Sequence, residues 1–181
     1  MSMRDLAWTA VSLVIAGCAG TAAVVETPKL GQPVTEAEVA GWDISIAPDG
    51  AGLPAGRGTS AQGALAYEAK CQTCHGAKGV GQPNDRLVGG QGTLASKAPV
   101  RTVGSYWPYA TTVFDYVRRA MPYLQSQSLT NDEVYALTAY LMHQNGIIAD
   151  TDEMNSQTLP KVKMPNRDNF SVVYRTKPAG R

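Results

Sequence analysis

Two cysteines and a histidine near the middle of the chain form the residue pattern with the most specific chemistry. The sequence Cys71-Gln72-Thr73-Cys74-His75 has the spacing of a c-type haem attachment motif. Two thiols on one turn bond covalently to the two vinyl groups of haem, and the adjacent imidazole is thereby directed at the iron. The motif therefore predicts one covalent haem c, with Cys71 and Cys74 as the attachment residues and His75 as the proximal iron ligand.

Two other uses of a cysteine pair fit the sequence less well. A thioredoxin-like Cys-x-x-Cys pair belongs to a βαβ unit, which the helix-and-loop pattern of this chain lacks. A structural zinc site needs four ligands. Beyond the motif only His143 and Cys18 are good zinc donors. The sequence thus favours haem over thiol redox chemistry or zinc binding.

The second axial ligand of the iron is expected from a later methionine or histidine. Met121 precedes Pro122, which ends a predicted helix and so places the thioether on a rigid turn. Met164 also precedes a proline but follows the last predicted helix, and His143 lies on that helix, where packing explains it equally well. Methionine ligation gives a high potential suited to electron transfer. We therefore expect Met121, with Met164, His143 or an open position as alternatives.

Three predicted helices must position these residues. The first has capping-box spacing at Thr59 and Gln62, begins at residue 59 or 60 and runs to Lys70, directly before the motif. The second covers residues 112–120 and ends before Pro122. The connection between them is about forty residues long and rich in glycine. A connection of that length usually carries function or wraps a ligand.

The third helix has the clearest boundaries. Thr130 and Glu133 form a capping box, and Gly146 lies where a left-handed residue is expected after the last turn. One apolar stripe follows the helical repeat: Val134, Leu137, Tyr140 and Leu141. Three helices and no strand pattern predict an all-α fold.

The N-terminal residues have the composition of an export signal. Arg4 precedes an uncharged run over residues 6–25. Three outcomes compete: a lipobox at residues 15–18 with a lipid on Cys18, cleavage after the small residues 21–23, and an uncleaved helix that spans a bilayer. Cys18 is otherwise an incidental residue of a removed signal. Each outcome places the remaining chain outside the cytoplasm, so we expect a periplasmic protein with or without an anchor.

The order of these features resembles a class I cytochrome c over residues 59–145. The likeness extends to a more specific set of segments on both sides, including Trp42-Asp43-Ile44-Ser45-Ile46 and Met164-Pro165-Asn166-Arg167-Asp168. The other segments are residues 52–54, 87–90, 102–112, 118–122 and 132–140. Together they resemble the SoxD-like cytochrome c subunits of sulfite and sulfur dehydrogenases, which work beside a molybdenum-cofactor subunit.

The resemblance implies an all-α cytochrome c fold with long irregular arms at both ends. It implies single-electron transfer from a sulfite-oxidase-type molybdenum subunit to a downstream cytochrome or oxidase. Two alternatives are a free-standing shuttle to a respiratory oxidase and a haem enzyme or sensor with an open distal site. SoxD proteins typically carry two haems, whereas this chain has one motif. Asp85 also replaces the usual proline, so the carbonyl that accepts the His75 N–H is expected near Pro83.

Charge divides the chain into four predicted segments. Residues 1–23 are the export or lipoprotein signal, and residues 24–58 are an arm with two basic and five acidic side chains. Residues 59–145 are the cytochrome c domain, and residues 146–181 are a tail with six basic and four acidic side chains, which favours docking to an acidic partner. A net charge of +1 argues against a dedicated nucleic-acid binder.

Overall fold

The structure is a computed structural model that describes residues 30–171 and residue 173. The predicted export signal, including Cys18, lies outside the described residues, as does most of the tail beyond Phe170. Within the described part, no helix combines the length and the apolar character needed to cross a membrane.

Within the described part of the chain, residues 30–38 belong to one compact unit and residues 39–171 form a second. The first described helix, α1, covers Glu36–Trp42 and buries none of its side chains. Its start is capped, because the Thr35 hydroxyl accepts a bond from the Glu38 N–H at 3.2 Å and the Glu38 carboxylate accepts one from the Thr35 N–H at 2.8 Å.

Four helices and two short strands form the second unit beyond α1. In chain order they are β1 (Arg57–Thr59), α2 (Ser60–Lys70), α3 (Gln72–His75), α4 (Ala110–Ala120), α5 (Asn131–Gln144) and β2 (Glu153–Asn155). Single turns of 3₁₀-helix lie at Ala77–Gly79, Tyr123–Gln125, Leu159–Lys161 and Arg167–Asn169. The mostly helical architecture agrees with the predicted all-α class.

Both predicted capping boxes are present. The Thr59 hydroxyl accepts from the Gln62 N–H at the start of α2, and Thr130 and Glu133 make the same reciprocal pair at the start of α5. Helix α4 begins at Ala110, two residues earlier than predicted. Tertiary contact explains the extra residues, because the Thr111 hydroxyl donates to the carbonyl of Pro48 at 3.1 Å.

Helix α5 is the centre of the core. The predicted stripe is buried, and so are the residues between its members, because α2, α4 and β1 pack around the helix. The approach of α2 requires a glycine, since a Cβ at Gly63 would lie 1.9 Å from the carbonyl oxygen of Ala136. This close packing fixes the end of α2, and therefore the cysteine motif, relative to α5.

Short regular elements join the two arms to the core. Strand β1 pairs antiparallel with β2, with Gly58 opposite Met154. On α4, the Asp115 carboxylate accepts the Ile46 N–H at 3.2 Å, and the Arg118 guanidinium donates to the carbonyl of Ile44 at 3.4 Å. Three-residue strands have no visible sequence pattern, so this pairing was not predicted.

Candidate haem site

A cavity of about 400 Å³ brings the predicted haem residues together. Cys71, Cys74, His75 and Met121 all border it. The rest of its wall is largely apolar and aromatic, and includes Val103, Trp107, Val113, Val117, Leu137 and Leu141. Its volume and its apolar lining with a few convergent polar groups are typical of a cofactor site.

The His75 imidazole is held by a backbone carbonyl. Its Nδ1 lies 2.9 Å from the carbonyl oxygen of Asp85. A carbonyl only accepts, so Nδ1 carries the proton and Nε2 keeps a lone pair for a metal. The sequence pointed to the Pro83 region for this carbonyl, and Asp85 supplies it instead. The reason is local: the Asn84 N–H donates to the carbonyl of Cys74 at 2.8 Å, which places the next residue against His75.

Two further hydrogen bonds hold the turn that carries His75. The Gly81 N–H donates to the carbonyl of His75 at 2.8 Å. The Tyr67 hydroxyl, which reaches the turn from α2, donates to the carbonyl of Gly76 at 2.9 Å. Burial raises the pKa of Tyr67 to about 12, so this hydroxyl remains a donor at neutral pH. The turn is therefore fixed to α2 by a side chain and to the following loop by its backbone.

The two cysteines lie at the junction of α2 and α3 and differ in exposure. Cys71 caps the end of α2 and is partly buried, whereas Cys74 lies in α3 and is exposed. Neither cysteine forms a disulfide with another described residue, and both side chains border the cavity, as attachment to a group bound there requires.

Met121 faces the same cavity from the end of α4. It is the extended residue after the last turn, and its N–H donates to the carbonyl of Val117 at 3.1 Å. Met164 instead lies in the core and is only 1% exposed. His143 Nδ1 lies 3.4 Å from the carbonyl of Ile148, and neither Met164 nor His143 borders the cavity. Of the alternatives weighed from the sequence, Met121 is the one placed with the motif.

This donor set fits haem c. Two thiols, an imidazole with a free nitrogen and a thioether line an apolar cavity, which matches covalent attachment with His and Met axial ligands. Across residues 30–171, no group of three or more His, Cys, Asp or Glu side chains is arranged to hold a bare metal ion. The zinc alternative therefore has no site in that part of the chain.

Comparison with known proteins agrees with this geometry. Residues 58–141 match the family model described as cytochrome c oxidase, cbb3-type, subunit III. Among curated proteins no sequence matches. Among solved structures, the sulfane dehydrogenase SoxCD from Paracoccus pantotrophus matches with a TM-score of 0.76 and 38% identity, over 80% of this chain and 72% of that chain. The chain belongs to the c-type cytochromes.

The cytochrome therefore carries one covalently bound haem c, and its function is electron transfer. The predicted cytochrome c fold and the resemblance to SoxD-like subunits are both confirmed. The fold places the motif at the end of one packed helix and Met121 at the end of another.

One residue that shapes the haem site was not predicted from the sequence of the cytochrome. Asn145, at the end of α5, accepts the Gly89 N–H at 3.0 Å and donates to the carbonyl of Leu87 at 3.2 Å, which fixes the loop along one cavity wall. Asn145 belongs to no short motif, so the sequence contained no signal for these contacts. Arg101 also borders the cavity and lies over the Tyr106 ring, 5.6 Å from its centroid.

Proposed function

We propose that this cytochrome is the electron-accepting subunit of a molybdenum-dependent sulfite or sulfur-compound dehydrogenase. The similarity to SoxCD carries the proposal. The family model matches only residues 58–141, whereas the match to SoxCD covers 80% of the chain. The likeness to a dehydrogenase chain therefore extends beyond the cytochrome domain into the arms. A general electron carrier gives no reason for such arms to be shared.

We assign the ligands of the haem to the residues on the cavity wall. Cys71 and Cys74 hold it through thioether bonds, His75 binds the iron through Nε2, and Met121 binds through its sulfur. When bound, the haem supplies reversible one-electron chemistry at its iron. The placement of Met121 favours this assignment over a haem enzyme or sensor with an open distal site.

The protein side chains tune that chemistry in three ways. Methionine ligation raises the reduction potential relative to a second histidine. The bond from His75 Nδ1 to the Asp85 carbonyl orients the imidazole and increases its basicity. The apolar wall formed by Val113, Val117 and Leu141 limits water access and lowers the local dielectric, which also affects the potential.

A single haem carries one electron at a time, and this limits how the cytochrome can take part in the reaction. Oxidation of sulfite to sulfate releases two electrons, whereas one haem accepts one electron. The cytochrome must therefore be reoxidised between two transfers for each sulfite that its partner oxidises. This requires a downstream acceptor, which we propose is another cytochrome or an oxidase outside the cytoplasm.

We also propose that the cytochrome acts in the periplasm, on the strength of its N-terminal sequence. Mass spectrometry of the purified native protein tests this proposal. An N-terminal residue between Cys18 and Val24 would support processing for export, and a diacylglyceryl group on Cys18 would identify the lipoprotein route. A full-length chain recovered from the cytoplasm would contradict export.

The decisive experiment uses the native protein, purified gently from the envelope fraction. Molybdenum is measured in the preparation, and sulfite is then added while the ferric haem spectrum is followed. We expect about one molybdenum per haem and rapid haem reduction. Sulfate, which cannot donate electrons, is the control. Intact haem without molybdenum or reduction by sulfite would contradict the proposal and favour a free-standing shuttle.

A further inference from the structure

A short segment of the N-terminal arm, residues 44–48, lies along one side of α4, and we call it the strap. Its backbone makes hydrogen bonds to three side chains of the helix: Pro48 with Thr111 at 3.1 Å, Ile46 with Asp115 at 3.2 Å and Ile44 with Arg118 at 3.4 Å. The three helix positions are four and three residues apart, so they share one face of α4. The strap therefore follows this face over two turns of the helix.

The haem cavity lies on another side of α4. Val113 and Val117 border the cavity, whereas the three side chains bonded to the strap do not. Because a helix turns by about 100° per residue, Val113 and Val117 lie on the face roughly opposite to that of Asp115. Helix α4 is thus held between the cavity and the strap, so the strap limits how far the helix can move away from a bound haem.

The strap is itself fixed to the rest of the fold. Ile46 is buried in the core. The Ala47 N–H donates to the carbonyl of Ala51 at 2.9 Å, and the Gly50 N–H donates to the carbonyl of Ala47 at 2.9 Å. A Cβ at Gly50 would lie 2.5 Å from the side chain of Pro160, so the C-terminal arm covers the same turn closely. Both arms therefore hold the strap against α4.

The last turn of α4 depends strongly on these bonds. All buried residues of the helix lie at or before Asp115, and residues 116–120 are partly or fully exposed. Among the described residues, the side chains of this turn make two hydrogen bonds, from Arg118 to the strap and from Arg119 to the Asp115 carboxylate. Segments with few buried contacts open at low free energy. Since Met121 directly follows this turn, opening here would move the iron ligand.

We infer that Asp115 is a positioning residue for the iron ligand Met121 and acts through the strap. One carboxylate oxygen accepts the Ile46 N–H and the other accepts from the Arg119 guanidinium, so a single buried side chain joins the strap to the turn before Met121. The inference rests on the Met121 ligation in the proposed function. It adds an element outside residues 58–141, the part matched by the family model, that holds this ligand in place.

The test uses the full-length holo-cytochrome and three variants. Asp115→Ala removes both bonds of the carboxylate. Asp115→Asn keeps an oxygen that can accept the Ile46 N–H but removes the charge opposite Arg119. Asp132→Ala is the matched control, because Asp132, at the start of α5, accepts the N–H of another arm residue, Arg57, at 2.8 Å. Thermal unfolding verifies that each variant is folded under the conditions of measurement.

Two measurements report whether the methionine sulfur is bound to the iron. Carbon monoxide takes the same position on ferrous haem, so its binding rate measures how often Met121 leaves the iron. Ferric haem has a weak charge-transfer absorption band while a methionine sulfur is bound, and the strength of this band gives the bound fraction. A loss of stability that leaves the native ligation intact changes neither measurement.

We expect Asp115→Ala to bind carbon monoxide roughly tenfold faster than wild type and to lose part of the ferric band. Asp115→Asn and Asp132→Ala should stay within about twofold of the wild-type rate. A wild-type rate in Asp115→Ala would overturn the inference. An equal rise in Asp132→Ala would also overturn it, because general loosening of the arm would suffice. An equal rise in Asp115→Asn would assign the effect to the Arg119 pair and remove the role of the strap.

A second variant keeps the test decisive if Asp115→Ala does not fold. Thr111→Val preserves the shape of a buried side chain and removes only the bond to the carbonyl of Pro48. We expect a smaller rise in the same rate, and no rise would overturn the inference.

Failure of the proposed ligation gives a different result. Wild-type protein that binds carbon monoxide as fast as Met121→Ala contradicts Met121 as the ligand, and with it the inference, before any strap variant is compared. Wild-type protein that binds carbon monoxide slowly, together with strap variants that do the same, contradicts the role of Asp115 alone.

Discussion

The wall of the cavity that carries His75 is fixed by a set of hydrogen bonds, whereas the wall that carries Met121 depends on one helix end. On the proximal side, bonds to the carbonyls of Cys74, His75, Gly76 and Asp85 bind the turn from several directions. On the distal side, Met121 makes one backbone bond to Val117, and residues 123–128 are exposed.

Exposure does not separate the two walls as a whole, because Cys74 and Asp85 on the proximal side are exposed as well. The difference lies in the anchoring side chain: Tyr67 on the proximal side is buried, whereas Tyr123 and Leu124, shortly after Met121, are 81% and 90% exposed. Segments with few buried contacts open at low free energy, and densely bonded segments open only with the whole fold. The orientation of His75 therefore depends on the surrounding fold, whereas the sixth ligand can be changed locally.

Removal of both attachment residues should have the largest effect. The double variant Cys71→Ser with Cys74→Ser cannot form thioether bonds, so we expect complete loss of covalent haem. Haem absorbance that remains with the chain after denaturation and acid–acetone extraction measures the covalent fraction. Any substantial covalent haem in this variant would show that attachment does not use the proximal wall as we propose.

Met121→Ala should change coordination and leave attachment intact. We expect covalent haem at the wild-type level, because both thioether bonds lie on the opposite wall. The reduction potential should fall by a substantial fraction of the roughly 0.8 V range over which axial ligands act. Carbon monoxide should bind the ferrous variant faster than wild type. If wild type binds carbon monoxide as readily, Met121 does not ligate the iron.

A buried methionine supplies the matched control for this variant. Met164→Ala removes the same side chain from the core, so we expect a loss of stability of about 2–5 kcal/mol. The visible haem spectrum and the potential should stay close to wild type. Denaturant unfolding and potentiometric titration make the two measurements. A spectrum altered as in Met121→Ala would support Met164 as the ligand.

Tyr67→Phe measures one bond of the proximal wall. The change leaves the Gly76 carbonyl without its donor, which should cost about 1 kcal/mol in the free energy of unfolding. Tyr123→Phe removes an exposed hydroxyl from the distal wall, and we expect an effect within about 0.5 kcal/mol. Equal effects of the two substitutions would contradict the difference between the walls.

A small effect is also expected from Glu133→Gln, which removes the ion pair between Glu133 and Lys70 on the proximal side of the cavity. Glutamine preserves the capping box, so the loss should be about 0.2–1 kcal/mol at neutral pH. The hydrogen bonds from Lys70 and from Thr130 lower the pKa of the Glu133 carboxyl.

The sign of the pH dependence follows from that lowered pKa. The carboxylate stabilises the fold above the unfolded value of 4.5, and its contribution disappears as the pH falls through the lower folded value. The difference in unfolding free energy between wild type and Glu133→Gln should therefore be present at pH 7 and decrease as the pH falls below 4.5. A difference that does not decrease on acidification would assign it to packing.

The parts predicted from the sequence are those with local signals. The haem motif has a fixed spacing, and the capping boxes at Thr59 and Thr130 marked the starts of α2 and α5. The Met-Pro pair marked the end of α4 and placed Met121 on the cavity.

The parts that escaped prediction depend on contacts distant in sequence. The Asp85 carbonyl reaches His75 because the loop folds back on Cys74, and Asn145 holds a loop more than fifty residues earlier in the chain. Such contacts are set by tertiary packing, for which a single sequence has no periodic signal. Strand β1 has only three residues, too few to show an alternating pattern.

The pairing of Gly58 with Met154 joins two strands that are far apart in the order of synthesis. Strand β1 leads directly into α2, yet its partner strand is made only after all the helices. A nascent chain that has already exposed its haem motif therefore still has an unpaired strand next to α2. Non-local pairing of this kind slows folding, so the edge of β1 next to α2 stays unpaired until Glu153–Asn155 reaches it.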